Sequence, residues 1–400
     1  MVSRKIRNLL WTIAALLLAL FAIRTFVGWP YFVNGTSMEP TLFDGDCVFV
    51  LWDGSPPGRH EPVVLRRAGE VFVKRAAGLP GESVRVDDGG DLWIDGRRAP
   101  VAAPRPRPIP VFDAARQDVQ DHFRLGGSSA SPWRRDGAEW ELDAREIKRD
   151  SSLGLMGLHK GLHADWIDPD GEMHYGVETI DVGDAIVEFS FEALEPGGRL
   201  RVLLDERGDM FQLALELQDG GEAHVELAHI VGGDVLGREI LRSAVVPFEV
   251  GAWTRIWFAN VDNQVRAELG EPPAVLAASY DENTFWPRDV NEIGMSPGQR
   301  VRLGGEECRV RVRDIRAWRD LHYTRDGDFA TDTALHLGAG EYFVLGDNSK
   351  ESQDSRTFGA VPARDLIGRP LWVVWPPSAI RRVPGLAPLF PARGAAGEPE

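Results

Sequence analysis

An apolar run near the amino terminus constrains this chain more than any other feature. The run extends from Leu9 to Ile23 and continues past Arg24 to Val27, which makes 19 residues. A helix of about 20 apolar residues can cross the ~30 Å hydrocarbon core of a bilayer. Arg24 lies near one end, where a long side chain can reach the interface. The sequence therefore predicts a transmembrane anchor over residues 9–29.

The residues on either side of the run predict its orientation. Three basic residues lie within positions 1–8, and such residues concentrate on the cytoplasmic side of a membrane. Trp29 and Tyr31 follow the run, as in an interfacial aromatic belt. No small-x-small site follows, which favours an uncleaved anchor over a secretory signal. We expect a single-pass protein of the cytoplasmic (inner) membrane, with the N-terminus in the cytoplasm and the chain beyond Val27 on the outer face.

Charge and cysteine content exclude several classes of protein. A formal net charge of −16 and a pI of about 5.1 argue against a nucleic-acid partner. The two cysteines, Cys47 and Cys308, form neither a disulfide framework nor a zinc motif, and we expect both to be buried. The sequence predicts no metal and no cofactor.

Short strands separated by turns predict a mostly β fold behind the anchor. Cys47–Leu51 and Glu70–Lys74 are apolar strands, and Ser83–Ile94 is a hairpin folded over Asp87–Asp91. The proline-rich stretch Ala103–Pro110 then interrupts this pattern and predicts an extended linker.

The middle of the chain has a different pattern, with many short alternating strands and glycine-rich turns. Phe211 to Leu217 alternates apolar with polar residues, and glycine-rich turns such as those at Pro196 and Asp219 separate some of the strands. This pattern favours an antiparallel β-sandwich of the jelly-roll kind. The segment Val312–Asp320 resembles the last strand of concanavalin-like or laminin-G-like sandwiches.

One β domain split by an inserted second domain is the simplest account of this organisation. The insertion should begin at Ala103–Pro110 and end at Thr324–Asp332, between neighbouring points of the first domain. The predicted divisions are a cytoplasmic N-terminus (1–8), the anchor (9–29), a first catalytic segment (30–104), the inserted β-sandwich (105–330), a second catalytic segment (331–384) and a disordered tail (385–400).

Three short segments carry the candidate chemistry. In Gly35-Thr-Ser-Met-Glu-Pro-Thr-Leu, Ser37 needs a base, and no histidine lies in a recognisable triad. Lys74 ends an apolar strand in Glu70-Val-Phe-Val-Lys-Arg, and burial would lower its pKa enough to make it a base near neutral pH. The third segment is a polar loop that begins Gly346-Asp-Asn-Ser.

Together, in this order behind an anchor, these segments resemble the type I signal peptidase family over roughly residues 24–82 and 340–376. The resemblance implies a Ser/Lys dyad with Ser37 as nucleophile and Lys74 as general base. It places the serine that hydrogen-bonds the lysine at Ser352, and the ion pair that holds the loop at Asp354 and Arg356.

The resemblance also assigns supporting and substrate-binding positions. Asp347 and Asn348 open the supporting loop. Gly35, Ser37 and Met38 would border the substrate and the oxyanion. Some members carry a serine at the position of Gly35; here the backbone N–H of Ser37 must act alone or with another donor.

The expected partners are secretory preproteins carrying signal peptides and the lipid bilayer. One alternative is a Ser/Lys peptidase dedicated to a single precursor; another is a binding protein that uses the sandwich on an inactive protease scaffold. The insertion itself could be a spacer, a module for an unknown partner or glycan through tryptophans such as Trp133 and Trp253, or a calcium site.

Overall fold

The computed structural model describes residues 4–52, 54–87, 90–99, 109–125, 131–149, 154–158, 166–167, 173–174, 184–206, 209–231, 237–261, 263–280 and 301–384. Within it the chain divides into two compact units. The first, here the catalytic unit, combines Met1–Ala102 with His322–Glu400; the second, here the insertion, is Ala103–Leu321.

The amino-terminal portion of the catalytic unit begins with one long helix, α1, and continues as short strands. The helix covers Arg4–Phe26, and the first strand follows two residues later, so the predicted anchor segment ends in a strand at Trp29. Among the residues described, no helix meets the length and hydropathy needed to cross a membrane. The strands are β1 (Gly28–Phe32), β2 (Cys47–Leu51), β3 (Pro62–Arg67), β4 (Glu70–Gly78), β5 (Ser83–Val86), β6 (Leu92–Ile94) and β7 (Arg97–Arg98).

The insertion contains seventeen strands and one short helix, α2 (Val119–His122), among its described residues. The strands are β8 (Ile109–Asp113), β9 (Phe123–Leu125), β10 (Trp133–Asp136), β11 (Glu139–Asp143), β12 (Leu155–Leu158), β13 (Trp166–Ile167), β14 (Met173–His174), β15 (Ala185–Ala193), β16 (Arg199–Glu206), β17 (Asp209–Leu217), β18 (Glu222–Val231), β19 (Arg238–Pro247), β20 (Thr254–Val261), β21 (Gln264–Leu269), β22 (Ala274–Ser279), β23 (Val301–Glu306) and β24 (Arg309–Arg319).

The chain then returns to the catalytic unit. This last portion contains β25 (Leu335–His336), β26 (Glu341–Leu345), α3 (Ser355–Phe358), β27 (Val361–Pro362), β28 (Leu366–Trp375) and β29 (Arg381–Arg382).

Strands from both ends of the chain alternate within the sheets of the catalytic unit. One sheet has the order β1-β2-β28-β3-β4-β26-β27, with β29 beside β28, and a smaller sheet has the order β25-β5-β6-β7. The larger sheet needs β26 and β28, and the smaller sheet needs β25, all from the carboxyl-terminal portion. Neither sheet is therefore complete until the chain has passed through the insertion. Two apolar clusters stabilise the larger sheet, one around Val48 and Val373 and the other around Leu65 and Val344.

Two large antiparallel sheets and the two-stranded sheet β13-β14 make up the described part of the insertion. One runs β10-β11-β24-β15-β20-β21-β22, with β8 beside β24, and the other runs β19-β18-β17-β16-β23-β12-β9. Their alternating apolar side chains share one buried cluster that includes Phe189, Phe258, Phe211 and Leu213. Ile109 of the first strand is paired with Arg319 of the last, so the insertion starts and ends side by side.

Most of the predicted strands are present, and the fold is mostly β. The hairpin over Asp87–Asp91 is confirmed, since Val86 pairs with Leu92. Cys47 and Cys308 are free and buried as expected. The insertion ends at Leu321, nine residues before the predicted residue 330. Residues 103–108 of the predicted linker and the predicted tail 385–400 lie outside the described residues.

Candidate active site

A tight loop after β1 carries Ser37. Gly35 has a φ of 86°, a left-handed conformation that favours glycine, and its N–H donates to Asp44 Oδ1 at 2.7 Å. The carbonyl of Met38 accepts from the N–H groups of Thr41 and Leu42 at 2.8 and 2.9 Å. Met38 is buried in the core below, so the loop is fixed while Ser37 stays partly exposed.

The side chain of Lys74 points from β4 to Ser37. Its Nζ lies 2.5 Å from Ser37 Oγ, and the residue is only 1% exposed. Burial lowers the pKa of Lys74 from 10.5 to about 8, although the carboxylates of Asp354 and Asp347 act in the opposite direction. A lysine with this pKa is partly neutral near pH 7 and can accept the proton of the hydroxyl beside it.

The polar loop after β26 packs directly against the loop after β1 that carries Ser37, here the nucleophile loop. The N–H of Asn348 donates to the carbonyl of Ser37 at 3.1 Å. A Cβ placed on Gly346 would lie 2.5 Å from that carbonyl oxygen and 2.2 Å from Ser352 Oγ. Because no side chain fits there, Gly346 allows the two loops to approach each other.

A fully buried ion pair holds this loop. Arg356 Nε and Nη2 donate to Asp354 Oδ1 and Oδ2 at 3.0 and 2.8 Å, as the resemblance implied. Asp354 Oδ2 also accepts from the N–H of Gly346 at 3.0 Å. The carboxylate therefore has a bidentate charged partner and a backbone donor, which together offset its desolvation.

Ser352 differs from the prediction. It lies beside Gly346, but its buried Oγ makes no hydrogen bond to any described atom, Lys74 included. The only hydroxyl bonded to Lys74 among the described residues is that of Ser37. The predicted hydrogen bond between Ser352 and Lys74 is absent.

A second buried ion pair was missed in the sequence. Arg75, which follows Lys74 and points to the opposite side of β4, donates through Nε to Asp347 Oδ1 at 2.7 Å and is further joined to it by a contact from Nη2. Arg75 Nη1 also donates to the carbonyl of His60 at 2.7 Å. Thr41 of the nucleophile loop donates to Asp347 as well. The arginine directly after Lys74 was the one sequence feature that could have indicated this ion pair. Nothing in the sequence identified the carboxylate with which the arginine would pair.

The candidate oxyanion donors are not equivalent. The N–H of Gly35 is used internally by Asp44, and the side chain of Met38 is buried in the core. The N–H of Ser37 makes no hydrogen bond within the portion of the chain that the structure describes. It is therefore a free donor next to the hydroxyl that would attack a carbonyl carbon.

Comparison with known families accounts for this arrangement. The model of the family "Signal peptidase, peptidase S26" matches residues 6–125 and 292–375, just over half of the chain. The chain belongs to the peptidase S26 family. The two matched S26 segments contain Ser37, Lys74 and the loop from Gly346 to Arg356.

Curated relatives of this S26 chain are bacterial signal peptidases. Signal peptidase I of Bacillus amyloliquefaciens is 39% identical over 101 residues, which cover 24% of this chain and 54% of that protein. Signal peptidase I S of Bacillus subtilis (strain 168) is 37% identical over 131 residues, covering 30% of this chain and 66% of that protein. The chain thus spans about half the length of the curated relatives it matches first.

Solved structures were also compared with the whole chain. The carbohydrate-binding module CBM66 from Bacillus subtilis is 7% identical, covers 50% of this chain and 92% of that module, and has a TM-score of 0.26. A Bacteroides ovatus xyloglucan-locus protein, GH43B, is 12% identical, covers 73% and 65% of the two chains, and has a TM-score of 0.34. TM-scores in this range do not establish a shared fold.

Proposed function

We propose that this S26 chain is a membrane-bound signal peptidase I that removes signal peptides from secretory preproteins, with Ser37 as nucleophile and Lys74 as general base. The observation that carries the proposal is the 2.5 Å contact between Lys74 Nζ and Ser37 Oγ, made by a lysine that burial has brought to a pKa of about 8. The S26 relatives, named as signal peptidases, support the same substrate class.

The reaction would proceed through an acyl-enzyme. Neutral Lys74 takes the proton of Ser37 as Oγ attacks the scissile carbonyl carbon, and the oxyanion that forms accepts from the N–H of Ser37. The lysine then gives its proton to the leaving amine. It next takes a proton from a water molecule as that water attacks the ester carbonyl carbon, and returns the proton to Ser37 Oγ when the ester C–O bond breaks.

We also propose that α1 anchors the protein in the membrane. Large apolar side chains of this helix are exposed, with Trp11, Leu18 and Phe21 all above 60%. Its hydroxyl groups are satisfied within the helix, since Thr12 and Thr25 donate to carbonyls four residues earlier at 3.0 and 2.8 Å. Such a surface is stable in lipid and costly in water.

A second apolar surface supports the same location. Phe32 of β1 and Trp372 and Trp375 of β28 are all about half exposed or more, on strands that both pair with β2. Aromatic side chains of this kind favour the membrane interface. The catalytic unit would thus sit at the bilayer surface, where a signal peptide's cleavage site emerges.

We infer that the insertion is a β-sandwich, from its two antiparallel sheets and their common core, and propose that it is a separate spacing or recruiting module. Trp133 is buried in that core, and Arg313 lies 3.9 Å above the ring of Trp253. Trp133 therefore has no free face to stack on a sugar, and one face of the Trp253 ring is occupied by Arg313.

Cleavage of a model preprotein by the detergent-solubilised full chain, with sequencing of the new N-terminus, tests the proposed activity. Ser37→Ala, Lys74→Ala and Lys74→Arg should each abolish cleavage, because an arginine does not give up its proton in a protein. Lys148→Arg, at an exposed lysine of the insertion, is the matched control and should keep full activity. Near-normal turnover by Ser37→Ala or Lys74→Arg would remove the mechanism, and cleavage of one precursor alone would identify a dedicated peptidase.

Topology needs a separate experiment. Protease added to intact spheroplasts should digest the chain beyond about Trp29, because the basic residues before Leu9 favour a cytoplasmic N-terminus. Full protection of both units would contradict the proposed orientation.

A further inference from the structure

The segment through which the chain leaves the insertion is hydrogen-bonded to the polar loop after β26, residues 346–356, here the candidate catalytic loop. We call residues 323–331 the return segment; it starts four residues after the end of β24 and belongs to the catalytic unit. The sequence predicted only that the insertion ends in the polar stretch Thr324–Asp332. In the structure the segment is fixed to the small sheet at both ends, by Tyr323 N–H to the carbonyl of Gly90 at 3.0 Å and by Val86 N–H to the carbonyl of Ala330 at 2.7 Å.

Thr324 contacts the polar loop after β26 through both its backbone and its side chain. Arg356 Nη1 donates to both the carbonyl oxygen and the Oγ1 of Thr324, each at 2.7 Å. The N–H of Thr324 donates to Ser349 Oγ at 2.8 Å, and that same oxygen accepts from Arg356 Nη1 at 2.6 Å. Thr324 thus bonds to two buried side chains of the loop that faces Ser37.

The backbone of the return segment holds Arg356 from another direction. The N–H groups of Asp328 and Phe329 donate to the carbonyl of Arg356 at 2.8 and 2.9 Å. Gly327 has a φ of 147°, and a Cβ there would lie 2.5 Å from the same carbonyl oxygen. The close approach therefore requires glycine at this position.

These contacts continue without interruption to the candidate nucleophile. Arg356 is paired with Asp354, and Asp354 accepts from the N–H of Gly346. Gly346 in turn packs against the carbonyl of Ser37. A displacement of Arg356 would loosen these contacts, since Arg356, Asp354 and Gly346 are all buried and closely packed.

We propose that Thr324 is a positioning residue of the peptidase: it fixes the Arg356 guanidinium, and through Asp354 it sets the loop that carries Gly346 against Ser37. The inference rests on the proposed function, because it concerns the same reaction. It also means that the end of the insertion is connected by a few residues to the region of the protein that aligns the nucleophile.

Thr324→Val tests this with the smallest change, since it removes the hydroxyl while keeping shape and both backbone contacts. We expect kcat to fall roughly 10- to 100-fold, as for one hydrogen bond to a charged group, with KM within about twofold. Thr324→Ser retains the hydroxyl and should restore most of the rate. Thr331→Val is the matched control, because Thr331 Oγ1 donates to Gly327 within the same segment and not to the catalytic loop.

Hydrogen exchange of the loop over residues 346–358 is measured on the same full-length proteins and does not depend on activity. Thr324→Val should exchange faster there than the parent chain, and Thr331→Val should not. A parent chain that cuts no preprotein while Thr324→Val still loosens the loop would refute the proposed function and keep the positioning role. Normal kcat and normal exchange in Thr324→Val, or equal losses in Thr331→Val, would overturn the positioning role.

Discussion

Replacement of Lys74 by methionine should stabilise the catalytic unit at neutral pH while destroying activity. The folded state lowers the pKa of Lys74 from 10.5 to about 8, so the protein binds this proton less tightly than the unfolded chain does. Each unit of difference corresponds to about 1.4 kcal/mol, which gives about 3 kcal/mol of lost stability below pH 8. Methionine fills a similar volume without a charge and does not carry this cost.

The pH dependence separates this effect from changes in packing. Between pH 8 and pH 10.5 the unfolded state holds more protons than the folded state, so the stability of the lysine protein rises with pH across that window. Above it, Lys74 is neutral in both states and the electrostatic cost vanishes. The advantage of Lys74→Met should therefore shrink by about 3 kcal/mol from pH 7 to pH 10.5, whatever the packing difference is.

Urea-dependent pulse proteolysis can measure this in detergent. Both proteins should carry Ser37→Ala, which prevents self-cleavage, and mass spectrometry of the fragments follows the catalytic unit separately from the insertion. A stability difference between the two proteins that is the same at pH 7 and pH 10.5 would refute the claim that burial, and not packing, sets the properties of Lys74.

Three further outcomes follow from the same structure. The value of kcat/KM should rise with pH and level off above an apparent pKa of about 8, since the neutral lysine is the base; a maximum below pH 7 in the pH–rate profile would exclude Lys74 from that role. Asp354→Asn should lower the free energy of unfolding by about 3–5 kcal/mol in urea titrations because it leaves a buried guanidinium unpaired, whereas Asp365→Asn, in an exposed pair, should cost at most about 1 kcal/mol. Replacing residues 103–321 with a short Gly/Ser linker should keep preprotein cleavage within about tenfold, whereas removing 111–325, which takes Thr324, should reduce it well beyond that; equal activity would show that the return segment is dispensable.

Local patterns in the sequence were sufficient for most strands, whereas the candidate site was predicted from the family resemblance. The apolar run Cys47–Leu51 has the predicted bounds of β2, because a short buried strand between turns is defined by its own residues. The strand at Glu70 is longer than predicted and continues to Gly78, since small buried residues such as Ala76 carry no alternating pattern. Ser37 and Lys74 meet as the resemblance implied.

Contacts between segments that are distant along the chain could not be predicted from the sequence. Arg75 and Asp347 pair across 272 positions, and no local feature identifies one as the partner of the other. The polar stretch Thr324–Asp332 was predicted only as the end of the insertion, because its partner, Arg356, lies on a different loop. The hydrogen bond between Ser352 and Lys74, in contrast, was predicted and is absent. A family pattern places a residue near a site but does not fix the rotamer of its side chain.

The interleaving of β26 and β28 with amino-terminal strands has a consequence for the protein's synthesis. Ser37 and Lys74 leave the ribosome early, but the strands and the loop that complete their surroundings follow only after the 219 residues of the insertion. An unfolded segment of that length raises the entropic cost of joining the two halves, whereas a folded insertion with Ile109 beside Arg319 brings its ends together. Under the proposed function, the nascent chain should therefore remain inactive until the insertion has folded, so activity would appear only after the second catalytic segment has been synthesised.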